Sequence, residues 1–145
     1  MKNSKAFLFA LLLVHPFSNA QSSEFLGVHE YIERHGISDL FHASAVMQRC
    51  AGVLQAYAMF IPTSMRDQKV SLATMGVKSF QHAVALLNRN GQNNEDQNLK
   101  TVEQRIKYYK DIYLERIETD QANTGSVMEG KSGNDLAVCI KILQN

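Results

Sequence analysis

The stretch SDLFHASAVMQRCAGVLQAYAMFI, residues 38–61, decides the fold because its apolar residues repeat with a helical period. Two series with seven-residue spacing run along it: Leu40, Met47, Leu54 and Ile61, and Ala43, Cys50 and Tyr57. This spacing is typical of a helix that buries one face in a bundle core. The pattern therefore predicts a central helix with Cys50 pointing inward.

Length and composition limit the class of protein. The chain has 145 residues, of which 45% are hydrophobic and 20% charged, so we expect one globular domain. The formal net charge is +1. If Lys2 and Lys5 are lost with a leader, the remainder carries a net charge of about −1. This balance gives no electrostatic basis for a nucleic-acid partner.

The first twenty residues have the pattern of a secretory signal peptide. Lys2 and Lys5 precede an unbroken apolar run at residues 6–14, and Ser-Asn-Ala at 18–20 supplies the small residues of a cleavage site. The run is much shorter than the roughly 20 residues that span a bilayer as a helix. We therefore predict cleavage near Ala20, a periplasmic or secreted product without a membrane span, and one folded domain at residues 21–145.

Export changes the interpretation of the two cysteines. In an oxidising compartment, Cys50 and Cys139 on apolar helical faces most simply form one intramolecular disulfide. Two buried free thiols are the alternative. A redox-active pair is disfavoured because the chain has no C-x-x-C motif. The disulfide would hold a short last helix against the middle of the central helix.

Helix start and stop signals divide the rest of the domain. Residues 24–35 form a short first helix capped by Ser22 or Ser23, and Ser38 caps the central helix. A third helix begins at Thr63 or Ser64 and ends at Asn90. Its predicted buried stripe comprises Val70, Ala73, Val77, Phe80, Val84 and Leu87.

The carboxyl-terminal third has one long and one short helical segment. A fourth helix is predicted at residues 95–120, followed by a glycine-rich loop at 122–134 and a last helix capped by Asn134 or Asp135. The stripe of the fourth helix comprises Leu99, Val102, Ile106, Tyr109, Tyr113 and Ile117. No apolar–polar alternation indicates a strand. The fold class is all-α: a single-domain helical bundle with three long helices, short first and last helices and one disulfide.

The motifs of common enzymes and cofactor sites are missing from the sequence. There is no G-x-S-x-G turn for a nucleophilic serine, no glycine-rich phosphate loop and no C-x-x-C-H haem attachment motif. We predict a non-enzymatic protein without a cofactor. A weak metal hypothesis rests on His29 and Glu33, four residues apart, with His42 on the next helix. Solvated histidines at a helix end explain the same residues, so no metal site is predicted.

The fourth helix offers the best candidate for an interaction face. Arg105, Tyr108, Tyr113 and Arg116 combine two residue types that are favoured at protein–protein hot spots. A solvated helix surface is the alternative interpretation.

In size, export signal and single disulfide the chain is similar to small exported helical proteins that act by binding, such as periplasmic immunity proteins, inhibitors of toxic enzymes and acid-stress chaperones. The resemblance implies a non-catalytic module with a protein partner. The alternative is a small-molecule or metal carrier with a pocket inside the bundle, which would show an apolar cavity with a few convergent polar groups.

Overall fold

The structure, a computed structural model, describes residues 24–144, and these residues form an all-α bundle without a strand. The predicted signal peptide and the caps at Ser22 and Ser23 lie outside this range. No helix in the described range combines the length and apolar character needed to cross a bilayer. The elements are α1 (Val28–His35), α2 (Leu40–Phe60), a 3₁₀ turn (Thr63–Met65), α3 (Arg66–Asn90), α4 (Glu95–Thr124) and α5 (Gly130–Gln144).

Helix α2 lies at the centre of the bundle and contacts all four other α-helices. Asp39, rather than the predicted Ser38, caps it by accepting a hydrogen bond from the backbone N–H of His42. The heptad pattern predicted one buried face, but the middle of α2 is buried on nearly all sides. Residues outside the predicted stripe, such as Ser44 and Gln48, are fully buried as well. The central position is confirmed, and the one-sided burial was wrong.

Small residues let α2 and α3 approach each other closely. The hydroxyl of Ser44 donates to the carbonyl of Ala83, and the hydroxyl of Ser79 donates to the carbonyl of Met47, both at 2.8 Å. Two helices joined by side-chain to backbone bonds in both directions must pack closely. This crossing therefore buries the short side chains of Ser44, Ser79 and Ala83 completely.

The close crossing sets which face of α3 is buried. The buried residues are Leu72, Gly76, Ser79, Ala83 and Leu87. The predicted stripe was therefore wrong over the first half of the helix, where Val70 and Val77 are 56% and 53% exposed. Phe80 and Val84 are half-buried against a smaller core cluster between α2, α3 and α4. The observed buried series lies one residue before the predicted one over most of the helix. This shift corresponds to a rotation of the buried face by about 100° around the helix axis.

Helix α4 crosses α2 at Gly52. A Cβ atom at this position would lie 2.6 Å from the Cβ of Tyr109, so only glycine fits between the two helices. The predicted stripe of α4 is confirmed except at Leu99, which is 38% exposed. Its buried members are Val102, Ile106, Tyr109, Tyr113 and Ile117.

Helix α5 is held against α2 by the predicted disulfide. Cys50 and Cys139 are bonded and fully buried. The predicted loop at 122–134 is shorter, because α4 continues to Thr124 and α5 begins at Gly130. The backbone N–H of Ser132, in the first turn of α5, donates to a carboxylate oxygen of Asp120 at 2.8 Å, which satisfies one free donor of that turn. At the amino-terminal end of the described residues, α1 begins at Val28 instead of residue 24.

Candidate functional site

Exposed apolar side chains collect around the first half of α3. Five of the nine large hydrophobic side chains that are exposed within residues 24–144 lie here, and each is between 44% and 59% exposed. We call this surface the α3 face and define it by Met59, Met65, Val70, Val77 and Met128. Such clustering, unlike a single exposed apolar residue, points to an interaction surface.

A groove between α3 and α5 forms one side of the α3 face. It has a volume of about 500 Å³. Its apolar lining comes from the end of α2, from α3, from the connection before α5 and from α5 itself. Asp67, Gln68 and Ser71 are its polar lining residues, and its apolar lining residues are Ile61, Leu72, Met128, Leu136 and Ile140.

A second groove, between α3 and α4, forms the other side. It has a volume of about 410 Å³ and is lined by Gln55, Ala58, Met59, Lys69, Ala73, Val77 and Lys110. Both charged residues in this lining are lysines. Lys110 lies 3.7 Å from the exposed carboxylate of Asp111 outside the groove.

The residues that line these two grooves are suited to contact with an apolar partner surface. A single carboxylate, that of Asp67, lines the larger groove, and neither groove is lined by histidine, cysteine or a second carboxylate that could act with it. Three methionines of the α3 face, Met59, Met65 and Met128, have flexible side chains that adapt to an apolar partner. The α3 face and its two grooves therefore offer mainly apolar surface with few polar side chains.

The predicted interaction face on α4 is split by the structure. Tyr108 is 55% exposed and Arg105 is half-buried, so both reach the surface. Tyr113 is completely buried, and its place in an exposed face was wrong because it lies on the core side of α4. Arg116 turns inward and places its guanidinium 4.8 Å from the ring centre of Phe25. The four residues therefore do not form one surface.

Tyr113 instead belongs to a buried polar centre that fixes the start of α1. Its hydroxyl donates to Asp135 at 2.8 Å and accepts from the backbone N–H of Val28 at 3.2 Å. The second oxygen of Asp135 accepts from the backbone N–H of His29 at 2.8 Å. Burial, together with the charge of Asp135, raises the pKa of Tyr113 well above its usual value.

This polar centre corrects the role predicted for Asp135. The residue was expected to cap the last helix, but it lies inside α5, is only 3% exposed and caps α1 instead. The nearest cation is Arg116, whose Nη1 lies 4.0 Å from Oδ2. Because all of these bonds join α1, α4 and α5, the centre stabilises the fold and is separate from the α3 face.

The weak metal candidates are brought together only in part. His29 and Glu33 lie 3.3 Å apart on the surface of α1, as their spacing indicated. His42 instead pairs with Tyr31, whose hydroxyl lies 2.8 Å from its Nδ1, and stacks against His35. Across residues 24–144 no group of three His, Cys, Asp or Glu residues is placed to hold a metal ion.

The sequence prediction missed the α3 face because it assigned Val70 and Val77 to the core. One signal was available: a second series with helical spacing, formed by Leu72, Gly76, Ser79, Ala83 and Leu87, runs along the same helix.

Comparison with protein-family models, with curated proteins and with solved structures finds no match to this chain, so its function must be argued from its own residues.

Proposed function

We propose that this chain is an exported, non-catalytic protein-binding module that acts in the periplasm or outside the cell, and that the α3 face is its contact surface. The observation that carries the proposal is the cluster of exposed apolar side chains around the first half of α3. Val70 and Val77 have the seven-residue spacing of buried helix positions, and yet their side chains are exposed to solvent. A protein partner would bury them.

The surroundings of the cluster support a protein partner over a catalytic role. Grooves on both sides of α3 extend the apolar surface, and the methionines at its edges give it adaptability. The buried polar centre at Asp135 is occupied in holding α1 and offers no free pair of groups for acid–base work. An immunity-, inhibitor- or chaperone-like role is consistent with this surface.

A small-molecule carrier is the second candidate, and the groove between α3 and α5 is the observation that favours it. Its volume of about 500 Å³ and its apolar lining with few polar groups are typical of ligand sites. The groove lies at the surface between two helices, whereas the carrier hypothesis places the pocket inside the bundle.

Site-specific photocrosslinking in the producing cell tests the proposal. Val70 or Val77 is replaced by p-benzoylphenylalanine, and Glu118, an exposed residue of α4, receives the same replacement as a control. We expect one protein, identified by mass spectrometry, to crosslink at both valine positions and not at Glu118. Introducing Met59→Asp should abolish that product.

Two results would contradict the proposal. One is the absence of any crosslinked protein at either valine position. The other is a set of products that are the same at Glu118 and at the valines, because non-selective contact does not need an apolar face. A small molecule that co-purifies with the chain in native mass spectrometry, without a crosslinked protein, would favour the carrier.

A further inference from the structure

The groove between α3 and α4 combines an apolar floor with two lysines, one of which, Lys110, lies 3.7 Å from the carboxylate of Asp111 outside the lining. Ala58, Met59, Ala73 and Val77 provide the floor, and Lys69 and Lys110 are the charged residues of the lining. The lysines come from different helices, so one lies on α3 and the other on α4. Any occupant that covers the floor therefore meets a cation from each of these helices.

The exposed residues of α3 have the spacing of a helix-packing seam. Val70, Ala73 and Val77 follow one another by three and then four residues, and all three are exposed. This is the spacing at which one helix packs its side chains against another. The seam continues into Phe80 and Val84, which the smaller core cluster already covers, so about two turns, or roughly 10 Å, remain open to a partner.

We infer that the groove between α3 and α4 binds an amphipathic helix of a partner protein, with apolar residues along the contact and carboxylates on the flanks. The inference rests on the proposed function and specifies its partner. The apolar stripe of that helix packs on Ala73 and Val77, which line the groove, and on Val70, about one turn before Ala73 on the exposed surface of α3. Its carboxylates lie near Lys69 and Lys110. This is the helix-in-groove mode of recognition, with charge setting the choice of partner.

Charge argues against a second copy of this chain as the occupant. A two-fold contact between two α3 faces would bring Lys69 and Lys110 of one copy toward the same lysines of the other, which disfavours the pairing. A fatty acid would satisfy both lysines with one carboxylate, but ligand sites bury most of their ligand. Met59 and Val77 in its lining are 59% and 53% exposed, so an occupant keeps one side in solvent, as a helix that presents one face does.

Two synthetic peptides and one pair of variants test the inference. Both peptides are helical, about 18 residues long, and carry the same leucine stripe, with glutamates on the flanks of one and lysines on the flanks of the other. Binding is measured by titration of the ¹⁵N-labelled protein. We expect the acidic peptide to shift the amide signals of residues 69–77 and to bind at least about tenfold more tightly than the basic peptide.

Charge reversal supplies the sharper measurement. Lys69→Glu with Lys110→Glu should invert the preference, so that the basic peptide binds more tightly by about tenfold. Lys78→Glu with Lys100→Glu makes the same change in net charge at two exposed lysines outside the groove and should keep the acidic preference. Binding of the acidic peptide to the unchanged protein should also weaken as salt is raised.

Several outcomes would overturn the inference. Two of them concern the peptides: equal binding of the acidic and the basic peptide, or loss of the acidic preference in the control pair of variants. The other two concern a different occupant. Oleate could displace the acidic peptide from residues 69–77 and bind more tightly, or the protein could self-associate and bury Val77. If the peptide preference fails while Val70 and Val77 still crosslink to one protein, the partner class is wrong and the proposed function stands. If the crosslinks fail as well, the proposed function fails with it.

Discussion

The two helix-crossing glycines of the bundle should respond oppositely to the same substitution. At Gly52, a new Cβ would lie 2.6 Å from the Cβ of Tyr109, 3.0 Å from the backbone nitrogen of Lys110 and 3.1 Å from the carbonyl carbon of Tyr109. At Gly76, the nearest atom is the Cγ of Gln55 at 3.3 Å, which belongs to a flexible side chain. We therefore predict that Gly52→Ala destabilises the protein and that Gly76→Ala does not.

The magnitude follows from the two contacts. Carbon atoms pack best at about 3.5–4.0 Å, so Gly52→Ala requires α4 to move away from α2 by roughly 1 Å. Overpacking of this kind costs about 1–3 kcal/mol. The gain in helix propensity from glycine to alanine is about 1 kcal/mol at either site and is the main term at Gly76. We expect a net loss of up to about 2 kcal/mol for Gly52→Ala and a gain of up to about 1 kcal/mol for Gly76→Ala.

Urea unfolding followed by circular dichroism measures both free energies of unfolding with the disulfide intact. The midpoint of Gly52→Ala should fall and that of Gly76→Ala should stay the same or rise, with unchanged slopes for both. Equal stability of the two variants would refute the idea that α2 and α4 touch at Gly52. A large loss for Gly76→Ala would show that the two helices cannot adjust to a new methyl group at this crossing, and the predicted gain would then be wrong.

Three further predictions concern the disulfide and the buried tyrosines. Replacing Cys50 and Cys139 together by alanine opens a loop of 89 residues and should cost up to about 4–5 kcal/mol by the chain-entropy argument, measured as a lower melting temperature. Asp135→Ala leaves the hydroxyl of Tyr113 and the first turn of α1 without an acceptor, and urea unfolding should show a loss of about 2–4 kcal/mol. Burial raises the pKa of Tyr57 and that of Tyr113, so both stay protonated in the folded state. The contribution of these two tyrosines to the free energy of unfolding should therefore be constant below about pH 10, where unfolded tyrosine ionises, and fall as the pH rises further. Tyr57→Phe or Tyr113→Phe should make the alkaline fall in stability less steep in urea titrations.

Surface variants control these measurements. Tyr108→Phe removes an exposed hydroxyl and should leave the free energy of unfolding at neutral pH within about 0.5 kcal/mol of that of the unchanged protein. Asp111→Ala removes an exposed carboxylate whose pair with Lys110 is open to solvent, and its stability should change by less than about 1 kcal/mol. Reductant should lower the melting temperature of the unchanged protein toward that of the double cysteine variant. Equal melting temperatures with and without reductant, while the thiols are shown to be free, would contradict the stabilising role of the disulfide.

The sequence was sufficient for the parts of the fold that depend on local signals. Helix number and order, the end of α3 at Asn90, and the buried stripe of α4 follow from periodicity and stop residues. The disulfide was predictable because a predicted export signal and two cysteines on apolar faces leave one intramolecular pairing. Each of these features can be worked out without knowing which helix packs against which.

Features that depend on distant partners could not be predicted. Arg49 is 9% exposed, and its guanidinium lies over the rings of Tyr31 and Tyr109, a place that only the folded bundle creates. Asp135 has the local setting of a helix cap, and its burial depends on the backbone N–H of His29, 106 residues earlier in the chain. Polar side chains of this kind are buried when the partners exist, and sequence spacing does not reveal the partners.

The first half of α3 shows why the buried face of this helix and the candidate site were missed together. Two series with helical spacing run along this helix, one of bulky residues that includes Val70 and Val77, and one of smaller residues that includes Gly76 and Ser79. A prediction based on apolar area selects the bulky series. The close contact with α2 selects the small one, because the hydroxyl of Ser79 reaches the carbonyl of Met47 only when the helices nearly touch. Folding leaves Val70 and Val77 of the bulky series exposed, so a partner could bury them. The residues that were wrongly assigned to the core are therefore the ones that support the proposed binding face.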